Sequence, residues 1–329
     1  MLDKAFAGPR RRFLNVCTGE CIRMDLPVLA EHMLLALTPE GLLLLLHEPT
    51  HMLRLLNPLT LQLTDLPPVT ALLRPEQQQS MGWGLKLGDI LEVLDASIVA
   101  NASIVAVTFS DPMALAVAKP GDETWTAIDD RRTISTLPFG GRLYCASYLG
   151  VMVLNISSGQ QPRLVMAAEW KKSFYLCQMS ASLHLVDNGG ELMLVHRMLC
   201  SDNDDEDDDD SHNHDEDDDH IYQTYSRKYE VYRVDLDAGI LIPVKGMNGR
   251  AVFMSMTRSI SVSAEVFPFV TADTIYLGSD CDTETLGYNL AYGNREPCNY
   301  GLFFDERVYP FSVVECLCYC IEGTGKLLA

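Results

Sequence analysis

Residues His47-Glu48-Pro49-Thr50-His51 form the segment with the most obvious potential for chemistry. Two histidines four apart on one helical face can hold zinc, and a glutamate between them can activate the metal's water. That arrangement needs a helix, and Pro49 opposes one. It has no N–H, and its ring clashes with a carbonyl one turn earlier, costing about 3 kcal/mol or more. The leucines of 42–46 and the run Met52-Leu53-Arg54-Leu55-Leu56 read as paired strands, with Glu48-Pro49-Thr50 as their turn. No third ligand follows at a metalloprotease spacing. A metal-dependent hydrolase is therefore the least favoured reading of this segment.

The remaining reactive residues are no better placed. Cys316, Cys318 and Cys320 alternate along one strand face, whereas zinc ligands are spaced C-x₂₋₄-C. Cys17 and Cys21 flank a turn without a second Cys or His pair nearby. His184 and His196 fall on strand patterns as ordinary packed or surface side chains. Gly82-Trp83-Gly84 closes a Gln-rich stretch, Gln77-Gln78-Gln79-Ser80, and leads into no helix, so it cradles no phosphate. No nucleophile elbow, P-loop or strand-linked Gly-rich fingerprint is present. No residue is assigned a catalytic, cofactor-binding or metal-binding role; the chain is expected to be non-enzymatic and to need no cofactor.

Charge narrows the partner classes. The net charge is -20, but thirteen acidic residues lie between Asp202 and Asp219 with no Lys or Arg among them. Without them, 25 basic residues face 32 acidic ones, a net of -7. The body is mildly acidic and carries no basic stripe, which argues against nucleic acid. The longest apolar run is far short of a membrane span, and the N-terminus lacks a secretory signal pattern. Cytoplasm or nucleus is expected, with the ten cysteines reduced.

The elements that must position these residues are strands. Short apolar runs at 34–37, 42–47, 52–56 and 61–66 are separated by Thr38-Pro39-Glu40-Gly41, Glu48-Pro49-Thr50 and Asn57-Pro58-Leu59-Thr60. Each break carries residues that stop helices or set turns. Within 26–37, Leu26, Leu29, Ala30 and Met33 have helical spacing, but the second half is read as strand. Further groups cover 93–128, with 93–99 as an outer strand, then 133–167, 183–244 and 251–278; another begins at Gly301-Leu302-Phe303-Phe304. Gly41, Gly141 and Gly190 lead strands at multiples of roughly 50 residues, a kelch-like period. The chain at 1–329 is thus expected to be a single all-β domain, a β-propeller of about six four-stranded antiparallel blades. A hairpin of 12–16 and 21–25 around Thr18-Gly19 would join C-terminal strands to close the ring. The acidic tract interrupts two strong strand patterns, so 201–220 is expected to be a disordered loop inserted in one blade.

Several segments together resemble the KIB-type β-propeller domain of plant F-box proteins. Leu55-Leu56-Asn57-Pro58-Leu59-Thr60 and Leu66-Pro67-Pro68 follow an "L-x-N-P-x-T … L-P-P" pattern. The run Ala116 to Trp125, ending Lys119-Pro120-Gly121-Asp122-Glu123-Thr124-Trp125, is similar to "R-P-G-D-x-x-W", and Phe139-Gly140-Gly141-Arg142-Leu143-Tyr144 to an "x-G-x-x-Y" strand start. Leu185-Val186-Asp187 with Gly190 to Val195, then Tyr229 to Asp235, resemble two later strands. The resemblance implies a protein-binding propeller that receives the substrates of a cullin ubiquitin ligase. Members normally begin with an F-box, which grips a Skp-type adaptor. This chain enters strand patterns by Arg12 and on this reading has no F-box of its own, so the adaptor joins only if one is supplied upstream. A stand-alone scaffold or decoy propeller is the alternative.

Overall fold

In the computed structural model, the described residues are 10–15, 17–99, 104–128, 135–156, 161–170, 182–201, 225–254, 258–267, 270–277, 287–293 and 296–298. The hairpin β1 (Arg10–Leu14) and β2 (Cys21–Asp25) comes first. After a 3-10 turn at Pro27–Ala30, the first sheet is a meander of β3 (Met33–Leu37), β4 (Leu43–His47), β5 (Met52–Leu56) and β6 (Leu63–Pro68). Helices α1 (Pro75–Gly82) and α2 (Leu87–Ile90) then lead to the second meander. It comprises β7 (Glu92–Val99), β8 (Ile104–Asp111), β9 (Ala114–Ala118) and β10 (Thr126–Ile128). The third holds β11 (Ser135–Phe139), β12 (Arg142–Ser147), β13 (Gly150–Asn155) and β14 (Arg163–Glu169). The fourth holds β15 (Ser182–Asp187), β16 (Leu192–Ser201), β17 (Tyr225–Asp235) and β18 (Ile240–Val244). One parallel pair, Glu169 with Ile240, joins the outer edges of these last two.

The leucine runs explain why the sheets stack. Successive strand residues point to opposite faces. On the first sheet, Leu44, Leu46, Leu53 and Leu55 pack with Val105, Val107, Phe109 and Ala116 of the second. Leu43, Leu45 and Leu56 on the other face pack with Leu26 and, from the hairpin, Phe13 and Met24. Such strands are buried on both sides and therefore read as continuous apolar runs rather than alternating ones. Further apolar layers join the second sheet to the third, the third to the fourth, and the fourth to the fifth. The first strands β3, β7, β11 and β15 lie side by side, and β20 (Ser259–Ser263) extends that inner row. Sheets packed face to face around an inner row of strands form an all-β propeller.

Two expectations need correction. The strand at 93–99 is not an outer strand: β7 stands innermost in its sheet, beside β3 and β11. Its polar Asp95 and Ser97 are buried, and Asp95 finds partners in Thr136 of β11 and in Arg258. The fifth sheet is also not a plain meander. Its order is β20, β19 (Arg250–Met254), β21 (Thr274–Leu277), β22 (Tyr288–Asn289), and β19 pairs with β21 in parallel. Because β20 takes the inner place, β21 joins the other edge of β19. Five groups of four strands are thus described, and a short strand β23 (Glu296–Cys298) pairs in addition with the start of β17. The hairpin covers the face of the first sheet that no other described sheet covers, and Gly19 at its tip lies against Val266 and Phe267. The strand expected at 301–304 lies outside the described residues.

Candidate interaction face

The segment 47–51 is a turn, and the side chains of His47, Glu48 and Thr50 are engaged in it or beside it. Glu48–Thr50 form one 3-10 turn between β4 and β5, with Pro49 in its first turn and His51 left-handed at φ 55°. His47 Nδ1 lies 2.7 Å from Thr50 Oγ1, and its ring is 5.0 Å from that of His32. Glu48 reaches across to α2, where its carboxylate accepts from the backbone N–H of Leu87 at 2.5 Å and of Gly88 at 3.1 Å. The glutamate thus satisfies donors left open at a helix start. Among the described residues no set of three or more His, Cys, Asp or Glu side chains converges as a metal site. Cys17 is exposed and Cys145 buried, neither in a disulfide, while Cys316, Cys318 and Cys320 lie outside the described residues. The acidic tract starts beyond Ser201, which ends β16 rather than belonging to the loop; 202–224 lie outside the described residues.

His184 and His196 are both buried. Burial, then the nearby Arg197 cation, pushes the His184 imidazole down to about 3, and its Nε2 meets Ser182 Oγ at 2.9 Å. Burial likewise lowers His196 to about 4, against the opposing pull of Glu230. Both rings are neutral near pH 7 and act as packed polar residues.

The motif residues also have structural duties. Asn57 Oδ1 accepts from the backbone of Leu59 and Thr60, closing the β5–β6 turn. Asp122 Oδ2 accepts from Lys119 N at 2.8 Å, and Asp187 Oδ1 from Gly190 N at 2.7 Å. Buried Trp125 donates its indole N–H to Pro67 O at 2.9 Å, tying the second sheet to the first. These residues shape turns and blade contacts and leave specificity to other positions.

The axis holds a polar network absent from any sequence motif. Thr136 on β11 donates to Asp95 Oδ2 on β7 at 3.0 Å. Arg258, just before β20, donates to the other Asp95 oxygen, to Leu37 O at the end of β3, and to Ala96 O at 3.2 Å. Leu185 N on β15 donates to Ser135 Oγ on β11, and Ser261 Oγ on β20 donates to Asn188 Oδ1 beyond β15. Burial pushes the Asp95 carboxyl above the ordinary range, against the pull of Arg258 and Thr136. Every bond in this network joins two different sheets, so no local pattern could reveal it.

One end of the propeller exposes several large apolar side chains. In each meander the second turn and the connection to the next sheet share an end, because successive strands reverse. The contacts agree: Arg74 at the start of α1 pairs with Asp111 at the end of β8, and Val69 N donates to His51 O. Correcting the sequence reading, α1 directly precedes Trp83 and α2 soon follows it. Held by Arg74 at one side and Glu48 at the other, this connection presents Trp83 (77% exposed) and Leu85, while Met113 (72% exposed) stands in the β8–β9 turn. Tyr148 and Leu149 hold the equivalent turn in the third sheet and are also exposed. Apolar side chains this open, on anchored backbone, suit binding better than folding.

Fold and face together define a β-propeller with its apolar contacts displayed on connections and turns. The KIB1-4 beta-propeller family matches residues 13–303, and the chain belongs to that family. No curated protein matches it. Among solved structures, the extracellular domain of a one component system from B. thetaiotaomicron aligns with 79% of this chain at 9% identity. Its TM-score is 0.26, and the chain spans 42% of that protein, so the likeness says nothing about function. Among the described residues, no helix is long and apolar enough to cross a membrane.

Proposed function

We propose that this chain is a non-catalytic protein-interaction propeller whose connection face, built around Trp83, Leu85 and Met113, receives a protein partner. The observation that carries the reading is the exposure of those side chains on backbone that Glu48 and Arg74 hold in place. Trp is the residue type most enriched among interface hot spots, and rigid presentation lowers the ordering cost of binding. Family membership and the engagement of the 47–51 segment in a turn also support it. In its finer form the propeller is the substrate-recognition domain of a plant F-box ubiquitin ligase, with the F-box supplied upstream. The alternative is a stand-alone scaffold or decoy with no ligase link.

The test is affinity purification of the tagged chain from plant extract beside a Trp83→Ala/Met113→Ala variant, with mass spectrometry of what is retained. Proteins held by the unsubstituted chain and lost from the variant are expected. Skp-type adaptor and cullin among the retained proteins select the ligase form; partners without them select the scaffold. Identical retention by both chains removes the proposed face.

A further inference from the structure

The inner strands do not meet equally around the axis. β3 lies along β7, β7 along β11, β11 along β15, and β15 along β20. Among the described residues, no comparable strand contact joins β20 back to β3. That seam is bridged by the hairpin tip, where Gly19 lies against Val266 and Phe267, and by Arg258, whose guanidinium donates to Leu37 O on the first sheet and to Asp95 and Ala96 O on the second. Thr136 holds the far oxygen of Asp95, so one side chain from the fifth sheet grips a carboxylate fixed between the second and third. The pair is well covered, with side chains 19% and 6% exposed for Arg258 and Asp95. A planar guanidinium can satisfy several acceptors at once, as an ammonium cannot.

We propose that Arg258, through Leu37 O and Asp95, is the clasp that holds the fifth sheet to the first two, and that the ring opens there before it unfolds elsewhere. Local opening in proteins follows contiguous units with few buried contacts between them. The first sheet stands on one side of the seam and the fifth sheet on the other, and the tip of the hairpin β1–β2 reaches Val266 and Phe267 just after β20. Removing one partner of a covered pair leaves the other charge without compensation, so the effect of substitution is concentrated at that join.

The test is hydrogen exchange by mass spectrometry on the full chain and on Arg258→Met and Arg258→Lys variants. The expected result is exchange at least about a hundredfold faster in β1–β3 and β19–β20 of Arg258→Met. β11–β13 should change little, and Arg258→Lys should fall between. Uniform acceleration in all sheets, or none, overturns the clasp. If Arg258→Met does not fold, the unsubstituted protein in rising urea decides: β1–β3 and β19–β20 should exchange at lower urea than β11–β13, and a single simultaneous opening refutes the proposal.

Discussion

Acid should weaken this fold through His184, and the size of the effect can be worked out. The ring sits on the inner strand β15, only 4% exposed, with Nε2 on Ser182 and no hydrogen-bond partner for Nδ1. Burial, reinforced by Arg197, lowers it from its ordinary 6.5 to about 3. Between those values the unfolded chain binds a proton that the folded chain refuses. Stability is therefore complete above about pH 6.5 and is lost as pH falls toward about 3. Each pH unit in that window is worth roughly 1.4 kcal/mol, so at about pH 4.5 the loss is about 2.7 kcal/mol. The assay is urea unfolding of the parent and of His184→Leu at about pH 7 and about pH 4.5. The variant should lose about 2 to 3 kcal/mol less between the two conditions, since all other titrating groups, including Asp95, are common to both chains. A difference below about 0.5 kcal/mol, or one of opposite sign, would refute a neutral buried His184.

Other expectations follow from packing and turns. Leu44→Ala, at a fully buried position between the first two sheets, should cost about 2–5 kcal/mol in urea unfolding, whereas exposed Leu59→Ala should stay within about 0.5 kcal/mol. Glu48→Ala removes the acceptor for two helix-start N–H groups and should cost about 1–3 kcal/mol, measured the same way. Gly150→Ala should be more damaging than an ordinary turn substitution. Its φ is 137°, and an added Cβ would lie 2.2 Å from Ala168 O, so a loss of more than about 2 kcal/mol in thermal or urea unfolding is expected. Trp83→Ala should leave the unfolding midpoint unchanged, because the indole is exposed.

Strand positions and turns were legible because they depend on neighbours in sequence. The leucine run 42–46 and Met52 to Leu56 had to be buried strands, and Pro49 had to turn the chain between them. The structure places β4, β5 and a 3-10 turn there. The Asn57 and Asp187 turns were equally local, since each side chain bonds backbone within three residues. The stretch 26–37, with helical spacing and strand expected in its second half, is a 3-10 turn followed by strand.

What the sequence could not settle is which strand stands where. Residues 93–99 carry a strand pattern whether the strand is inner or outer, and only the packing of β7 between β3 and β11 makes it inner. The order of the fifth sheet depends on β20 taking the axial place, which alternation of apolar residues cannot express. Glu48, Arg258 and Trp83 show the same limit in three forms. Glu48 finds its partners about forty residues away, and Arg258 finds Asp95 across 163 residues. Trp83 is apolar in sequence yet exposed in the fold, because the helices beside it are anchored to two sheets that leave it uncovered. Local chemistry determined the strands, the turns and the unsuitability of 47–51 for a zinc helix. Contacts between distant sheets alone decided the axis, the seam and the exposed face, because those depend on which surfaces the folded chain brings together.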